Sequence, residues 1–255
     1  MGQQQPERSP PPQAPLSHDQ VTRLQQYSAC DISDALTKLD VPGAGFLPDL
    51  VAYCCTGGPA SGSQADASAA AVIVAPISTV LFVPRTRGTE ASPQADELPA
   101  KNIPSDAHWA DLTESGTFVL LKQPPGQTNA VCGGIMALRM KMRQAAGIVV
   151  LGRVRDVDEL KGTGLPVWAL GTSTVGAGAG SVPWATQVPI HAHGITLNPG
   201  DIAFHDPANG IVFIPRDKVT EVLELLPAMV AADVRVKEDV LNGMTVHSAF
   251  KLHRA

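Results

Sequence analysis

The feature that most constrains the fold is a strand–loop–helix–strand order in the middle of the chain. Residues 117–122 (TFVLLK) and 148–151 (IVVL) are short apolar runs, which is typical of strands buried on both faces. A helical segment at 135–146 lies between them, so the order predicts a βαβ unit with parallel strands and a right-handed crossover. In such units the loops beyond the strand carboxyl ends collect ligands, and here these loops are 123–134 and 152–156.

Segments on either side extend this pattern into one α/β domain with a mixed sheet. Residues 71–83 are a continuous run of mostly β-branched apolar residues, which predicts another buried strand. Ser17 and Gln20 form a capping-box pattern at the start of a short helix, and a second short helix is predicted around Ile32 and Leu36. Further short strands are predicted at 166–170, 189–197, 201–205 and 210–214.

Two helices carry apolar residues that are predicted to face inward. In the central helix these residues are Ile135, Leu138, Met142, Ala145 and Ala146. A long C-terminal helix is predicted over 216–242, with a kink at Pro227, because proline removes a helical hydrogen bond. Its predicted inward residues are Val219, Val222, Leu223, Leu226, Val230, Val234 and Val240.

Composition limits the class of protein. The 255 residues include 23 glycines and 22 prolines, an excess that predicts many turns and argues against a helical bundle. The net charge of −5 argues against nucleic acid as a partner, and no apolar stretch is long enough to predict a membrane span. Residues 1–16 are rich in proline and glutamine and predict a disordered tail rather than a secretion signal, which leaves a domain at 17–255. The polar stretch at 85–104 predicts a surface loop.

The four cysteines favour a reducing compartment. Cys54 and Cys55 are adjacent, which is poor geometry for separate disulfides, and no CxxC motif is present to bind zinc. We therefore expect mostly buried thiols and a cytoplasmic location.

The sharpest candidate for chemistry is the pair Arg155-Asp156, directly after a predicted buried strand. Arginine can bind a substrate carboxylate through two hydrogen bonds, and aspartate can hold a divalent cation through oxygen. A surface ion pair that caps a helix beginning at Val157 is the alternative. Gly133 and Gly134 precede a helix whose amides could approach an anion, although an ordinary tight turn has the same pattern.

Two further patterns are weaker. The glycine-rich segment 176–180 departs from a dinucleotide-binding motif, because Ser181 replaces a required glycine and Pro183 blocks the following helix. We interpret it as a flexible loop. His191 and His193 are predicted to share one side of a strand, where they would need a third ligand to bind zinc or iron; half-buried histidines are the simpler alternative.

Five segments, taken in their order along the chain, resemble the RraA-like family. This family includes 4-hydroxy-4-methyl-2-oxoglutarate aldolases with oxaloacetate decarboxylase activity. The segments are SACDISDAL at 28–36, NAVCGGIMALRMKMRQAAGIVVLGRVRD at 129–156, LPVWALGTS at 165–173, NPGDIAFHDPANGIVFIP at 198–215 and ADVRVKEDVLNG at 232–243. The resemblance covers about residues 20–245. Its most specific part runs from the double glycine to the Arg-Asp pair and is similar to the fungal branch.

This resemblance implies a compact α/β/β sandwich that assembles as a trimer or a dimer of trimers, with sites between subunits. It implies that Asp156 anchors Mg²⁺ or Mn²⁺, partly through water, and that Arg155 binds a substrate carboxylate. An acidic residue of a neighbouring C-terminal helix would orient a metal-bound water, and Asp233 is the matching position. The glycine-loop residues that would bind the pyruvoyl carboxylate are Gly133, Gly134, Ile135 and Met136.

The sequence departs from the aldolase pattern at two acidic positions. Gly134 stands where these aldolases carry an aspartate, 21 positions before the arginine. Leu151 stands where bacterial members commonly carry an aspartate. The arginine and the metal-binding aspartate are retained.

We therefore expect a divalent-metal-dependent lyase that cleaves a carbon–carbon bond of a 2-oxo acid through an enolate of pyruvate. The reaction would be retro-aldol cleavage of a 4-hydroxy-4-methyl-2-oxoglutarate-like substrate, decarboxylation of oxaloacetate, or both. Two alternatives stay open. The first is the same scaffold with a changed substrate in a specialised pathway; the second is a non-enzymatic, protein-binding regulator, because some relatives inhibit an RNA-degrading complex by contact.

Overall fold

The computed structural model describes residues 15–54, 71–85 and 98–254. Within these ranges the helices are α1 (His18–Leu24), α2 (Ala29–Lys38), α3 (Gly134–Met142), α4 (Val157–Thr163), α5 (Val219–Leu241) and α6 (Val246–His253). The strands are β1 (Val51–Cys54), β2 (Ile73–Pro84), β3 (Phe118–Lys122), β4 (Ala130–Cys132), β5 (Gly147–Val154), β6 (Val167–Thr172), β7 (Ser181–Thr186), β8 (Ile190–Ala192), β9 (Ile195–Leu197), β10 (Ile202–Asp206) and β11 (Gly210–Ile214). The predicted mixed α/β class is confirmed. Nearly all of the predicted tail at 1–16 and most of the predicted loop at 85–104 lie outside the described residues.

The main sheet of the described chain has the order β1-β6-β5-β3-β2-β10-β11, with β4 beside β5 and β7 beside β2. Strands β2 to β6 pair in parallel, whereas β1, β7, β10 and β11 join antiparallel. The predicted βαβ unit is confirmed: β3 and β5 run parallel from Phe118 opposite Gly147 to Lys122 opposite Leu151, and α3 lies between them in sequence. The carboxyl ends of both strands therefore meet at one edge of the sheet.

The central strands are buried because apolar layers cover both faces of the sheet. Alternate residues of β3 and β5, such as Val119 and Val150, join the apolar cluster that includes residues of α3 and α4. The intervening residues, such as Leu120 and Leu151, join the cluster that includes the β8–β9 hairpin. A third cluster packs α1, α2 and α5 against β10 and β11. Because β3 and β5 are buried from both sides, they read as continuous apolar runs rather than alternating ones.

The buried face of α3 differs from the prediction. Ile135, Leu138 and Met142 are 72%, 54% and 68% exposed, whereas Ala137 and Met140 are fully buried against the sheet. The helix also ends at Met142, before the two alanines assigned to its inward face. The periodicity was ambiguous because α3 has apolar residues on both sides, and only tertiary packing decides which side faces the core.

The C-terminal segment also differs in part. Helix α5 is continuous from Val219 to Leu241 and contains Pro227. Its first half packs inward as predicted, but Val234 and Val240 are 47% and 38% exposed, and Ala232 and Val236 are buried instead. An unpredicted helix, α6, contacts α5. The inward face therefore shifts where α5 leaves the sheet and meets α6.

The predicted strand at 189–197 is a hairpin of two short strands. His193 and Gly194 form its turn with positive φ angles of 51° and 77°. His191 lies on β8, exposed, with its Nδ1 2.9 Å from Thr196 Oγ1. His193 thus lies in the turn rather than on a strand, and the prediction that both histidines belong to one strand is wrong.

Candidate active site

The two loops predicted to collect ligands meet at the carboxyl edge of the parallel strands. The Arg155 backbone N–H donates to the Cys132 carbonyl at 3.0 Å, which joins the β5–α4 connection to the end of β4. At this junction the Gly134 backbone N–H faces Asp156 Oδ2, with 3.4 Å between nitrogen and oxygen. Asp156 Oδ2 is also 3.4 Å from Arg155 Nε. The structure therefore brings together the arginine, the aspartate and the glycine loop.

Asp156 occupies the N-cap position of α4, but its side chain makes no capping hydrogen bond. Its backbone is left-handed, with φ 56° and ψ 48°, a conformation that aspartate tolerates better than most residues. The carboxylate instead points across to the amino end of α3, whose dipole favours negative charge. The pair with Arg155 is real and about 40% exposed, but the helix-cap interpretation of the Asp156 side chain is wrong.

Neighbouring side chains fill the space beside the paired glycines. A β-carbon on Gly133 would lie 2.7 Å from Asp156 Oδ2 and 3.0 Å from Arg155 Cγ. A β-carbon on Gly134 would collide with the carboxylate of Glu159, a residue in the first turn of α4. A carboxylate thus does stand beside the position where the sequence lacks an aspartate, but it comes from α4.

These groups border a pocket of about 220 Å³, below the roughly 300–1,000 Å³ of sites for drug-sized ligands. Its lining is mainly apolar, and the charged side chains in it are those of Arg155 and Asp156. The pocket therefore suits a small molecule with an anionic group. The lining residues are His108, Trp109, Ala130, Val131, Cys132, Gly133, Ile135, Met136, Arg155, Asp156 and Ala177.

The glycine-rich segment 176–180 forms part of this wall. The side-chain Nε2 of Gln127 donates to the Gly180 carbonyl at 2.6 Å, which ties the segment to the loop before β4. A β-carbon on Gly176 would lie 3.0 Å from Arg155 Nη1, so the segment packs closely beside the guanidinium. The interpretation as a flexible loop missed this contact, because only the tertiary fold brings the segment to the Arg-Asp pair.

His108 and Trp109 also line the pocket, and the sequence analysis did not identify them. They precede β3 in a segment with no local motif. Trp109 is 4% exposed, and its ring meets Phe82 edge-on at 5.5 Å. Arg139 Nε donates to Asp111 Oδ1 at 2.5 Å, which attaches the same segment to α3. Only the folded structure reveals this fourth side of the pocket.

The Cys132 thiol in the pocket wall is in an environment that disfavours its ionisation. Burial, and to a smaller extent the negative charge of Asp156, raise the pKa of Cys132 to about 12. Because the thiolate is the reactive form, these surroundings argue against Cys132 as the nucleophile.

Asp233 and Leu151 lie away from this pocket in the single chain. Arg254 Nε donates to Asp233 Oδ1 at 2.6 Å, beside a groove lined by α2, α5 and the α6 end. The role implied for Asp233 needs a neighbouring subunit, so it stays a prediction. Leu151 is 2% exposed and belongs to the apolar cluster on the sheet face opposite the pocket.

No group of three or more His, Cys, Asp or Glu residues in the described ranges could hold a metal ion unaided. Asp156 is the acidic residue that lines the pocket, so a cation there would need further oxygen ligands from water or from a bound molecule.

The fold is a mixed α/β sheet with a βαβ unit. At the carboxyl edge of its parallel strands, a glycine loop faces an Arg-Asp pair, and this combination is the one that the resemblance to the RraA-like family implies. The chain belongs to the RraA-like family, whose model (Aldolase/RraA) matches residues 29–213. In the residues that the structure covers, no helix is long and apolar enough to cross a membrane.

Several proteins are similar to this chain in sequence. Protein DlpA of Legionella pneumophila is 29% identical over 231 residues, which are 89% of this chain and 33% of DlpA. A Halalkalibacterium halodurans protein provisionally named 4-hydroxy-4-methyl-2-oxoglutarate aldolase is 29% identical over 112 residues, which are 43% of this chain and 51% of that protein. The matches thus span only a third to a half of these relatives.

Similarity to a solved structure supports the fold. The crystal structure of Streptomyces coelicolor RraAS2, described as an unusual member of the RNase ES inhibitor RraA protein family, superposes with a TM-score of 0.64. The alignment covers 92% of this chain and 100% of that chain at 22% identity, a level at which the likeness concerns the fold alone.

Proposed function

We propose that this chain is a divalent-metal-dependent lyase that cleaves a carbon–carbon bond of a 2-oxo acid. The substrate would resemble 4-hydroxy-4-methyl-2-oxoglutarate, cleaved by a retro-aldol reaction, or would be oxaloacetate, which is decarboxylated. The observation that carries the proposal is the meeting of Arg155, Asp156 and the amino end of α3 beside a small pocket. The family and the aldolase name of a relative support it.

The donor set fits Mg²⁺ or Mn²⁺. Mg²⁺ prefers oxygen ligands and usually keeps several waters, using only one or two protein carboxylates together with substrate oxygens. The partly exposed Asp156 offers one such carboxylate, so it is the proposed metal anchor. When bound, the cation would supply Lewis-acid stabilisation of negative charge on the 2-oxo oxygen as the carbon–carbon bond breaks.

The remaining groups bind and orient the substrate. Arg155 holds the carboxylate next to the 2-oxo group, since a guanidinium can donate two parallel hydrogen bonds. The amides of Gly134, Ile135 and Met136 lie in the first turn of α3, where the helix dipole favours the same anion. Asp233 from a neighbouring copy is the proposed residue that orients the water carrying the proton.

The chain is proposed to act as a homo-oligomer, a trimer or a dimer of trimers. The exposed apolar residues of α3 begin at the pocket, and a cluster of this kind is typical of a covered surface. A neighbour on this face would lie next to the site. Cys30 and Cys132 are present as thiols, which supports a proposed cytoplasmic location.

The test compares turnover of both 2-oxo acids by the full chain with Mg²⁺ or Mn²⁺, and with EDTA. Asp156→Asn should abolish Mn²⁺ uptake and lower kcat about 100-fold or more. Asp158→Asn is the matched control, because Asp158 is a fully exposed acid two residues away. Full metal-dependent turnover by Asp156→Asn would contradict the proposed site. Absence of turnover on both substrates, with Mn²⁺ uptake that still requires Asp156, would favour a changed substrate.

A protein-binding regulator is the second candidate. The exposed α3 face favours it, because a partner protein could cover this face as well as another copy can. This candidate predicts no turnover of any 2-oxo acid and a stoichiometric partner whose binding survives Asp156→Asn but not Leu138→Glu.

A further inference from the structure

His108 lines the same pocket as Arg155 and Asp156, and the proposed chemistry leaves it without a role. It belongs to the segment before β3, whereas the other polar groups come from the loops after β4 and β5. The pocket thus has a polar side chain contributed by an independent part of the chain.

The segment that carries His108 is held firmly in place. Trp109 and Ala110, the next two residues, are 4% and 1% exposed. Asp111 pairs with Arg139 of α3, and Thr113 Oγ1 donates to the Ala110 carbonyl at 2.8 Å. His108 is therefore presented to the pocket by a fixed turn.

Local hydrogen bonding determines which ring nitrogen of His108 carries the proton. The Ala110 backbone N–H donates to His108 Nδ1 at 3.2 Å, so Nδ1 acts as an acceptor. The neutral ring must then carry its proton on Nε2, and no hydrogen bond to Nε2 occurs within the described ranges. In this state Nε2 can donate but cannot accept.

This tautomer disfavours one role and favours another. A base at Nε2 would require a proton on Nδ1, which would face the Ala110 N–H and lose the hydrogen bond between them. A donor at Nε2 instead suits a substrate oxygen, and a negatively charged acceptor gives the stronger hydrogen bond. The lining of the pocket that His108 and Arg155 share includes apolar side chains such as Val131 and Met136, which suit the carbon chain of a short molecule.

We propose that His108 binds the carboxylate at the far end of the substrate and so restricts the site to dicarboxylic 2-oxo acids. The inference rests on the proposed function, in which Arg155 binds the carboxylate next to the 2-oxo group. A monocarboxylic analogue would leave the Nε2–H of His108 without a partner, and unpaired polar groups are a strong source of discrimination.

Two substitutions of His108 separate the loss of the Nε2 donor from the loss of the hydrogen bond with the Ala110 N–H. In His108→Asn the side-chain oxygen takes the place of Nδ1 and keeps the Ala110 hydrogen bond, but the Nε2 donor is lost. In His108→Gln the side-chain NH₂ reaches the place of Nε2 and keeps a donor. His108→Asn therefore tests the loss of the Nε2 donor alone, and His108→Gln, which loses the Ala110 hydrogen bond instead, is the control for the turn.

The experiment measures binding of pyruvate and of 2-oxoglutarate to the full chain with Mn²⁺ by calorimetry. The two ligands share the 2-oxo acid end, and only 2-oxoglutarate has a second carboxylate. His108→Asn should weaken 2-oxoglutarate about tenfold or more and leave pyruvate unchanged, while His108→Gln should retain most of the affinity.

The possible outcomes distinguish a failure of the role proposed for His108 from a failure of the proposed lyase function. If His108→Asn weakens neither ligand, or weakens both equally, the role of His108 is wrong while the lyase proposal stands. If the wild-type chain binds neither pyruvate nor 2-oxoglutarate with Mn²⁺, the proposed function fails and the role of His108 fails with it.

Discussion

The carboxylate of Glu159 lies against Gly134, in the space that any side chain at position 134 would need. Gly134 is the first residue of α3, and Glu159 lies in the first turn of α4. The contact therefore joins the two helices that follow the two ligand-collecting loops. Glycine at 134 and glutamate at 159 are thus structurally coupled.

Gly134→Ala should destabilise the protein by about 1–3 kcal/mol, although alanine is the better helix former. The new β-carbon would collide with the Glu159 carboxylate and lie 2.6 Å from its β-carbon. Urea unfolding of the full chain measures the change. Gly162→Ala is the control, because this α4 glycine has open space around it and should be neutral or slightly stabilising. Equal stability of Gly134→Ala and wild type would show that Glu159 moves away freely.

We expect Asp233 to take part in catalysis at the site of a neighbouring copy, and not only to pair with Arg254 of its own chain. Asp233→Asn and Arg254→Gln break the same ion pair, which is partly exposed and worth about 1 kcal/mol or less. If Asp233 orients the proton-carrying water, only Asp233→Asn lowers kcat, by about 100-fold or more. Steady-state kinetics of both variants with Mn²⁺ provide the measurement. Equal, small effects of the two variants would restrict Asp233 to its ion pair.

The sequence predicted the parts of the fold that local pattern controls. The apolar runs ending at Lys122 and Leu151 required buried parallel strands, and their loops had to meet at one edge. The pairing of Arg155 and Asp156 with the glycine loop follows from that topology. These elements were predictable because strand burial and connection rules leave few alternatives.

The rest depends on contacts between distant segments. The apolar residues on both sides of α3 gave no indication that Met140 would be buried and Leu138 exposed. Likewise, no motif marks His108 or Gly176 as neighbours of the pocket, because each comes to the site of Arg155 only through tertiary packing. A sequence pattern describes one helix or strand at a time. The parts of the pocket that come from distant segments could therefore be identified only from the structure.

Leu138→Glu should dissociate the proposed homo-oligomer. Leu138 is 54% exposed in the single chain, and a charge buried in an apolar interface costs several kcal/mol. Sedimentation velocity of the full chain measures the assembly. Phe46→Glu is the control, because Phe46 is similarly exposed at 55% but lies outside α3. A Leu138→Glu variant with the wild-type sedimentation coefficient would remove α3 from the interface.

Acid should weaken the fold through His205. This residue is 1% exposed and accepts a hydrogen bond from Trp168 Nε1 on its Nδ1 at 3.2 Å. Burial lowers the pKa of His205 from 6.5 to about 4, although the nearby Asp206 charge acts in the opposite direction. As the pH falls, the unfolded chain therefore protonates His205 before the folded chain does. The contribution of neutral His205 to the free energy of unfolding is fully present above pH 6.5 and falls toward about pH 4, by at most roughly 3 kcal/mol. In His205→Asn the amide oxygen can still accept the hydrogen bond from Trp168. The urea midpoint of this variant should be lower than that of the wild type at pH 7, and it should change less than the wild-type midpoint between pH 7 and about 4.5. Parallel profiles for the variant and wild type would assign the acid sensitivity to other groups.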